Sequence, residues 1–561
     1  ISVKGVETLM ATHHSAKRDS QIGRFGLGFK SVLAVSDSPR IFSRSGSFGF
    51  DRARSESELR ALVPGAPNYP ATRLAWAFDP SDESREDPVL QGLMKWATTV
   101  VVLPLKAHHD VLAKGLSEFP AEFLLFSQHV ERLDLENRSE GRGRRITLER
   151  NDSGSFVLDD SNRRSTWVVR SKMHYPSKEA LADGGYQAAR ESVEVAWAAP
   201  LEGAPKGLGL FWAFFPTGTF TTLSGIVNAP WKLADDRATL LKGAFNDELL
   251  TEVLPTLVAD ALPLIHRADR PTAVLDVLPA RGKEARSDAD DVINEPVMRA
   301  VSARQCIPTL AGGLRHPKRV KLHPEKLEPE VLEIWASACV DPDEWTHHAV
   351  MSPERRSKVV RLLGYHKRTA VSVREWVEHL VKEPTVEGSA AAVRIVALLS
   401  QTMPELRPEL SRARVLLLED GSLHTCQRGQ VFLPGGSHAP GHLIIDEVLA
   451  GDAAVVAALA TLGIEIFDQA GELRSELAQD PIRWDRVWAS SRKNDLTESA
   501  AIFREVLGDR LLEDLRVRNY AGHWRVPNSV FLPGLVVPAD GSRDRDFLVD
   551  PRFHQQDLEL L

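Results

Sequence analysis

The sequence predicts a multidomain chain of α/β and α+β class that ends in a helix-rich region built on repeated β-hairpin modules. Three observations carry that expectation. The chain has 561 residues, 43% hydrophobic and 26% charged, enough for three or four domains that each bury a core. Its first half alternates β-branched, strand-like runs with stretches that are apolar at helical spacing. Its second half repeats a strand, glycine turn, strand pattern at residues 307–322, 414–435 and 516–534, and the last two copies share Val-Phe-Leu-Pro-Gly.

Taken in order, residues 40–44 and 48–51 read as two short strands joined by a Ser-Gly-Ser turn. Residues 53–92 are rich in Pro, Ser, Asp and Glu and read as mostly loop, before a β-branched strand over 98–106. These segments form an expected first domain, 1–112. A second, 113–278, carries strand candidates at 145–150, 165–171, 191–200 and 209–218, then a helical run over 246–265. Polar residues 279–296 read as a linker. Beyond it lie a hairpin plus helical module over 297–410, a second over 411–510 and an incomplete third over 511–561. The helical runs of the first two end in Leu363-Gly364 and Leu462-Gly463.

Charge and cysteine content narrow the function classes. With 77 acidic and 69 basic residues the net charge is −8, which argues against a bulk electrostatic grip on nucleic acid. Cys306, Cys339 and Cys426 lie far apart without C-x-x-C spacing, so neither a disulfide scaffold nor a structural zinc site is expected, and a cytoplasmic setting fits. No apolar run approaches the roughly 18–20 residues of a membrane span. Arg is preferred to Lys throughout, a compositional pointer to a bacterial source. The adjacent pairs His13-His14, His108-His109 and His347-His348 are expected to point their rings apart on the surface rather than to bind metal.

The segment that carries chemistry is Gly-Arg-Phe-Gly-Leu-Gly-Phe, residues 23–29. Gly23, Gly26 and Gly28 lack side chains, so successive backbone N–H groups can converge on an anion. Glycine spacing alone leaves a flexible corner open as the alternative, because the order is the reverse of G-x-G-x-x-G and no P-loop occurs in the chain.

The surrounding residues say more. Residues 22–44, IGRFGLGFKSVLAVSDSPRIFSR, resemble the lid-and-phosphate segment of sacsin-type and heat-shock-protein-90-type ATPases of the GHKL superfamily. Upstream, SAKRD is similar to the S-x-K segment of sacsin-like proteins, and residues 98–106 resemble the family's G-T-x-I-x-L-x-L-K strand. A second match lies at residues 211–250, where Val227, Asn228, Trp231, Leu233, Arg237, Phe245 and Asn246 follow the order of the sacsin-like middle-domain segment.

The resemblance implies a partial Bergerat-type α/β sandwich, a middle α/β domain of the heat-shock-protein-90 type, and ATP as ligand. It implies that Ser15 and Lys17 face the phosphates, that Gly23, Arg24, Phe25, Gly26, Leu27, Gly28 and Phe29 close over them, and that Thr99 lies by the adenine. Arg237 would reach the γ-phosphate, where a cation stabilises charge spread onto the transferring phosphoryl group. The bland reading of Asp235, Asp236 and Arg237 is a solvated cluster capping a helix that begins at residue 238.

The family's E-x-x-x-N box, with its general-base Glu and Mg²⁺-binding Asn, and its D-x-G-x-G segment belong upstream of the glycine motif, where only 22 residues stand. The Mg²⁺ ligand is therefore expected ahead of residue 1, and the chain, which opens on Ile1, reads as a fragment that would not hydrolyse ATP by itself. The implied function is a chaperone-like ATPase acting on client or partner proteins, with a homodimer left open. Two alternatives stand beside it: a non-catalytic interaction scaffold with a degenerate ATPase domain, and a MORC-like ATPase associated with DNA.

Overall fold

The computed structural model describes residues 3–10, 31–70, 74–106, 109–151, 154–161, 163–185, 190–203, 208–279, 287–435, 443–467, 469–534 and 545–561. It is a mixed α/β chain with several sheets that divides into two compact units. One holds residues 1–308, 314–318 and 352–367, and the other holds 309–313, 319–351 and 368–561. No helix among the described residues is long and apolar enough to cross a membrane.

The first unit opens with a four-stranded sheet of order β3-β2-β1-β4, made of β1 (Arg40–Ser43), β2 (Phe48–Gly49), β3 (Trp76–Ala77) and β4 (Thr99–Val102). Strand β1 is central, antiparallel to both β2 and β4. Ile41, Phe48 and Phe50 form its core, against which Val6, Leu9 and Met10 of the helix Val3–Met10 pack.

Residues 53–92 depart from the loop expected of their composition, because they contain the helices Arg52–Leu62, Pro80–Ser84 and Pro88–Met94. Each starts at an aspartate, Asp51, Asp79 or Asp87, whose carboxylate accepts N–H groups of the first turn. In the last two, proline at the first helical position has no N–H to lose. Asp and Pro here punctuate helices rather than replace them.

An eight-stranded sheet follows, of order β11-β10-β12-β9-β8-β7-β6-β5. Strands β5 (Arg132–Asn137), β6 (Arg142–Arg150), β7 (Phe156–Asp160), β8 (Arg163–His174) and β9 (Val193–Glu202) run as an antiparallel meander. Strand β12 (Ile226–Asn228) lies between β9 and β10 (Gly209–Trp212), parallel to β10, and β11 (Pro216–Thr221) closes the edge. A core of Ile146, Leu158, Trp167, Ala198, Trp212 and Ile226 is covered by Ala121, Leu124 and Leu125. The helix Leu254–Ile265 packs against β8 and β9.

The expected linker 279–296 is corrected over residues 288–296, which are part of the helix Asp288–Ser302. Ser287 and Asp290 form a reciprocal capping box. Asp290 is buried and also accepts from the Thr221 and Thr222 hydroxyls and the Thr222 N–H. A polar, acidic stretch thus starts a helix because its carboxylates have donors to meet.

Three hairpins recur further along: β13 (Ile307–Pro308) with β14 (Leu314–Arg315), β15 (Arg414–Leu417) with β16 (Leu423–Thr425), and β19 (Val517–Arg518) with β20 (Trp524–Arg525). Between the last two lies the parallel pair β17 (Val431–Phe432) and β18 (Leu443–Ile444). The turns share one hydrogen-bond scheme. Thr309, Leu418 and Asn519 donate their N–H to Gly313 (2.9 Å), Ser422 (3.0 Å) and His523 (2.9 Å), and their carbonyls accept from Gly312, Gly421 and Gly522 at 2.9 Å each. Those three glycines have φ of +84°, +78° and +89°, a region that an L side chain enters only with strain.

Candidate functional site

The middle-domain segment singled out from the sequence folds into a small hairpin at the end of the large sheet. Asn228, buried at the end of β12, accepts the Phe214 N–H on Oδ1 at 2.7 Å and so holds a turn in which Phe214 has φ +66°. Trp231 is buried edge-on against Phe211, with centroids 5.5 Å apart. From there the chain leaves the core.

Residues 232–241 fold back on themselves. Leu241 donates to the Lys232 carbonyl at 3.0 Å, Leu233 bridges Leu240, and Ala234 donates to the Thr239 carbonyl at 2.9 Å. Asp235, Asp236, Arg237 and Ala238 are left at the tip. The Arg237 N–H closes the turn on the Ala234 carbonyl at 2.9 Å, and the Ala238 N–H donates to the Asp236 carboxylate at 2.8 Å. Arg237 has φ +57°, a left-handed conformation that costs a non-glycine residue on the order of 1–3 kcal/mol and persists only where surrounding contacts impose it.

Those contacts come from both sides. The tip docks on β11, where Gly218 donates to the Ala238 carbonyl at 2.7 Å and the Thr219 hydroxyl accepts the Leu240 N–H at 3.2 Å. A Cβ on Gly218 would lie 3.3 Å from that carbonyl oxygen. At the base, the buried Asn246 bonds Lys232 and Leu241, and the Lys232 ammonium pairs with Asp183 at 2.5 Å. That bond, with the Phe245 N–H, holds the Asp183 carboxyl below the usual aspartate range.

The Arg237 side chain is exposed, and among the described residues its guanidinium forms no hydrogen bond or ion pair. The capping reading of Asp235, Asp236 and Arg237 is corrected: the residues that follow extend into the return arm of the hairpin, and the next helix starts only at Ala244.

Of the other residues expected at a nucleotide site, Ser15, Lys17, Gly23, Arg24, Phe25, Gly26, Leu27, Gly28 and Phe29 lie outside the described residues. Thr99 opens β4, exposed and opposite Ser43 of β1. No hydrogen bond or ion pair among the described residues joins Thr99 to Arg237. The described residues contain no group of three His, Cys, Asp or Glu side chains able to hold a metal ion, so the Mg²⁺ implied by the resemblance is not assigned to any of them.

Two features escaped the sequence. A cavity of about 270 Å³ lies beside the hairpin, lined by Thr219, Phe220, Leu241, Asn246, Leu250 and Val292 among others, with Lys242 and Asp288 paired at 2.8 Å in the same lining. The His347 and His348 rings, expected to point apart, lie 4.2 Å apart at 31°. They sit at the start of the short helical turn His348–Met351, not in an extended strand, and His347 Nδ1 accepts the Ala349 N–H. Burial, then the neighbouring His348, pushes the His347 pKa down to about 4.

Comparison with protein-family models, with curated proteins and with solved structures gives no match in any of the three. The reading of function rests on the chain's own residues.

Proposed function

We propose that this chain is part of a chaperone-like ATPase of the GHKL type, in which ATP draws residues 23–29 over its phosphates as a lid and engages residues 113–278 through Arg237. One observation carries the reading. Arg237 is an exposed arginine without an ionic partner among the described residues, on a tip fixed from behind by Gly218, Thr219, Asn246 and Asp183. A cation carried on a backbone that is already held has less to reorganise when it meets charge that develops on a transferring phosphoryl group. An ordinary surface arginine needs no such foundation and no left-handed backbone.

ATP binding and turnover test this directly, with the lid residues read by protection from proteolysis. In a form of the protein that turns over ATP, Arg237→Ala is expected to lower kcat at least about a hundredfold, by the scale of arginines that meet a γ-phosphate, while ATP affinity changes only a few-fold. An unchanged kcat would remove Arg237 from the reaction.

The repeated hairpin modules favour a second reading, an interaction scaffold whose nucleotide domain only packs. On that reading ATP changes neither protease sensitivity nor partner binding.

A further inference from the structure

The cavity beside the Arg237 hairpin takes its walls from three parts of the first unit. Strand β11 gives one, the return arm of the hairpin with the helical residues after it gives the second, and the first turn of the helix Asp288–Ser302 gives the third. Its volume of about 270 Å³ falls just short of the ~300–1,000 Å³ of most ligand pockets. A single ring with a short side arm is the scale of molecule that suits it.

The interior offers hydrocarbon and few uncommitted polar groups. Phe220, Leu250 and Val292 line it, and Leu241, 38% exposed, leaves an apolar surface that a ligand would cover. The Thr219 hydroxyl accepts the Leu240 N–H, the Asn246 carboxamide is taken by Lys232 and Leu241, and the Ser287 hydroxyl accepts the Asp290 N–H. A strongly polar body would lose its water there without gaining partners.

Charge gathers at the solvent end. Lys242 and Asp288 pair at 2.8 Å, with side chains 80% and 78% exposed. Two further carboxylates act on the same ammonium: Asp288 first, then Asp291 and Asp247, hold the Lys242 pKa up. Neither Asp247 nor Asp291 makes a side-chain hydrogen bond or ion pair of its own among the described residues. One ammonium thus answers three carboxylates, and this end of the cavity is short of positive charge.

We propose that the cavity binds a small organic ammonium ion, a primary amine on a compact apolar or aromatic body, with the body against Phe220, Leu250 and Val292 and the ammonium beside Asp247 and Asp288. The amine supplies the missing cation, whereas a carboxylate or phosphate would be repelled by the same groups. A ligand so placed touches both the helix and the return arm, and so braces the hairpin that carries Arg237. The site holds whether or not Arg237 meets a nucleotide.

The probe is 2-phenylethylamine, titrated into the 561-residue chain by isothermal calorimetry beside the similarly shaped 2-phenylethanol and phenylacetate. Saturable binding of the amine is expected, with the alcohol at least about tenfold weaker and the acid not bound. Asp247→Asn is expected to weaken the amine about fivefold, and Lys242→Met to tighten it about threefold by removing the competing cation. Val292→Phe fills the cavity and is expected to abolish binding; its melting temperature reports whether it folds, and the Lys242→Met result stands without it. Amide exchange in the parent locates the ligand, since Leu240 and Leu241 should slow when the amine is added. No saturable binding, equal affinity for amine and alcohol, an affinity that Lys242→Met lowers, or slowing confined to other regions overturns the proposal.

Discussion

The carboxamide of Asn246 acts as a strand partner for Lys232: Oδ1 accepts the Lys232 N–H at 2.9 Å and Nδ2 donates to the Lys232 carbonyl at 2.8 Å. The same Nδ2 reaches the Leu241 carbonyl at 2.7 Å, so one buried side chain ties both ends of the hairpin that carries Arg237. Asn246→Ala leaves these backbone groups without those partners, which is expected to cost about 2–4 kcal/mol. Urea unfolding reads the loss, and faster amide exchange at Lys232 and Leu241 locates it. Asn246→Asp is expected to do no better, because a carboxylate oxygen would face two carbonyls.

Asn228 and Asn246 could be singled out in the sequence because they stand in one short ordered segment with Trp231 and Arg237. Asp183 could not, since it meets Lys232 across 49 residues and no local pattern announces such a partner. The hairpin turns were legible for the opposite reason: a glycine at the left-handed position is a local requirement that shows in the sequence. Composition misled at 53–92 and 288–296, where Asp, Ser and Pro suggested loop but serve as helix caps. Capping depends on which N–H groups a carboxylate meets, and residue content does not record that.

The three hairpin glycines give a matched set of variants. Gly312, Gly421 and Gly522 all have positive φ, and a Cβ would meet nothing within 4 Å at the first two and only the Arg518 guanidinium, at 3.7 Å, at Gly522. Alanine at each therefore costs backbone strain alone, on the order of 1 kcal/mol. Gly435→Ala is expected to cost more, about 3 kcal/mol, because its Cβ would come within 2.2 Å of the Phe467 carbonyl oxygen and push away the extended segment whose Glu465 carbonyl and Phe467 N–H pair with Leu433. Melting temperatures of the four variants should separate into a close group of three and one lower value.

The buried His323 lies between two groups that fix its tautomer. Trp376 Nε1–H can only donate, so Nδ1 of His323 accepts at 2.9 Å; the Thr346 carbonyl can only accept, so Nε2 carries the proton and donates at 2.8 Å. The ring stacks on Trp345 at 5.4 Å and meets Trp335 edge-on at 5.1 Å. Nitrogen-15 shifts of this histidine are expected to show the Nε2–H form. Trp376→Phe keeps most of the apolar volume but takes this donor away from a buried Nδ1, at a cost of about 1–3 kcal/mol. A variant as stable as the parent would mean that this bond contributes nothing net.

Glu295 couples the helix Asp288–Ser302 to the helix Pro353–Gly364 and the residue after it. Its carboxylate accepts from Arg361 at 2.6 Å, from the Tyr365 hydroxyl at 2.8 Å and from Arg299 at 3.3 Å. Arg361 first, then Tyr365 and Arg299, hold its pKa down at about 2. A carboxyl lowered on folding stabilises the native state fully above its unfolded value, near 4.3. That contribution is lost as pH falls from there through the folded value. Because the carboxylate is about half exposed, solvent screening holds its contribution to about 1 kcal/mol rather than the several that the shift alone would suggest. Glu295→Gln keeps an acceptor but not the charge, so the variant is expected to be less stable than the parent near pH 7, and the difference should shrink between about pH 4 and pH 2. Parallel urea titrations across that range check both the size and the sign. A difference that stayed constant with pH would mean that packing of the side chain, rather than its charge, joins the two helices.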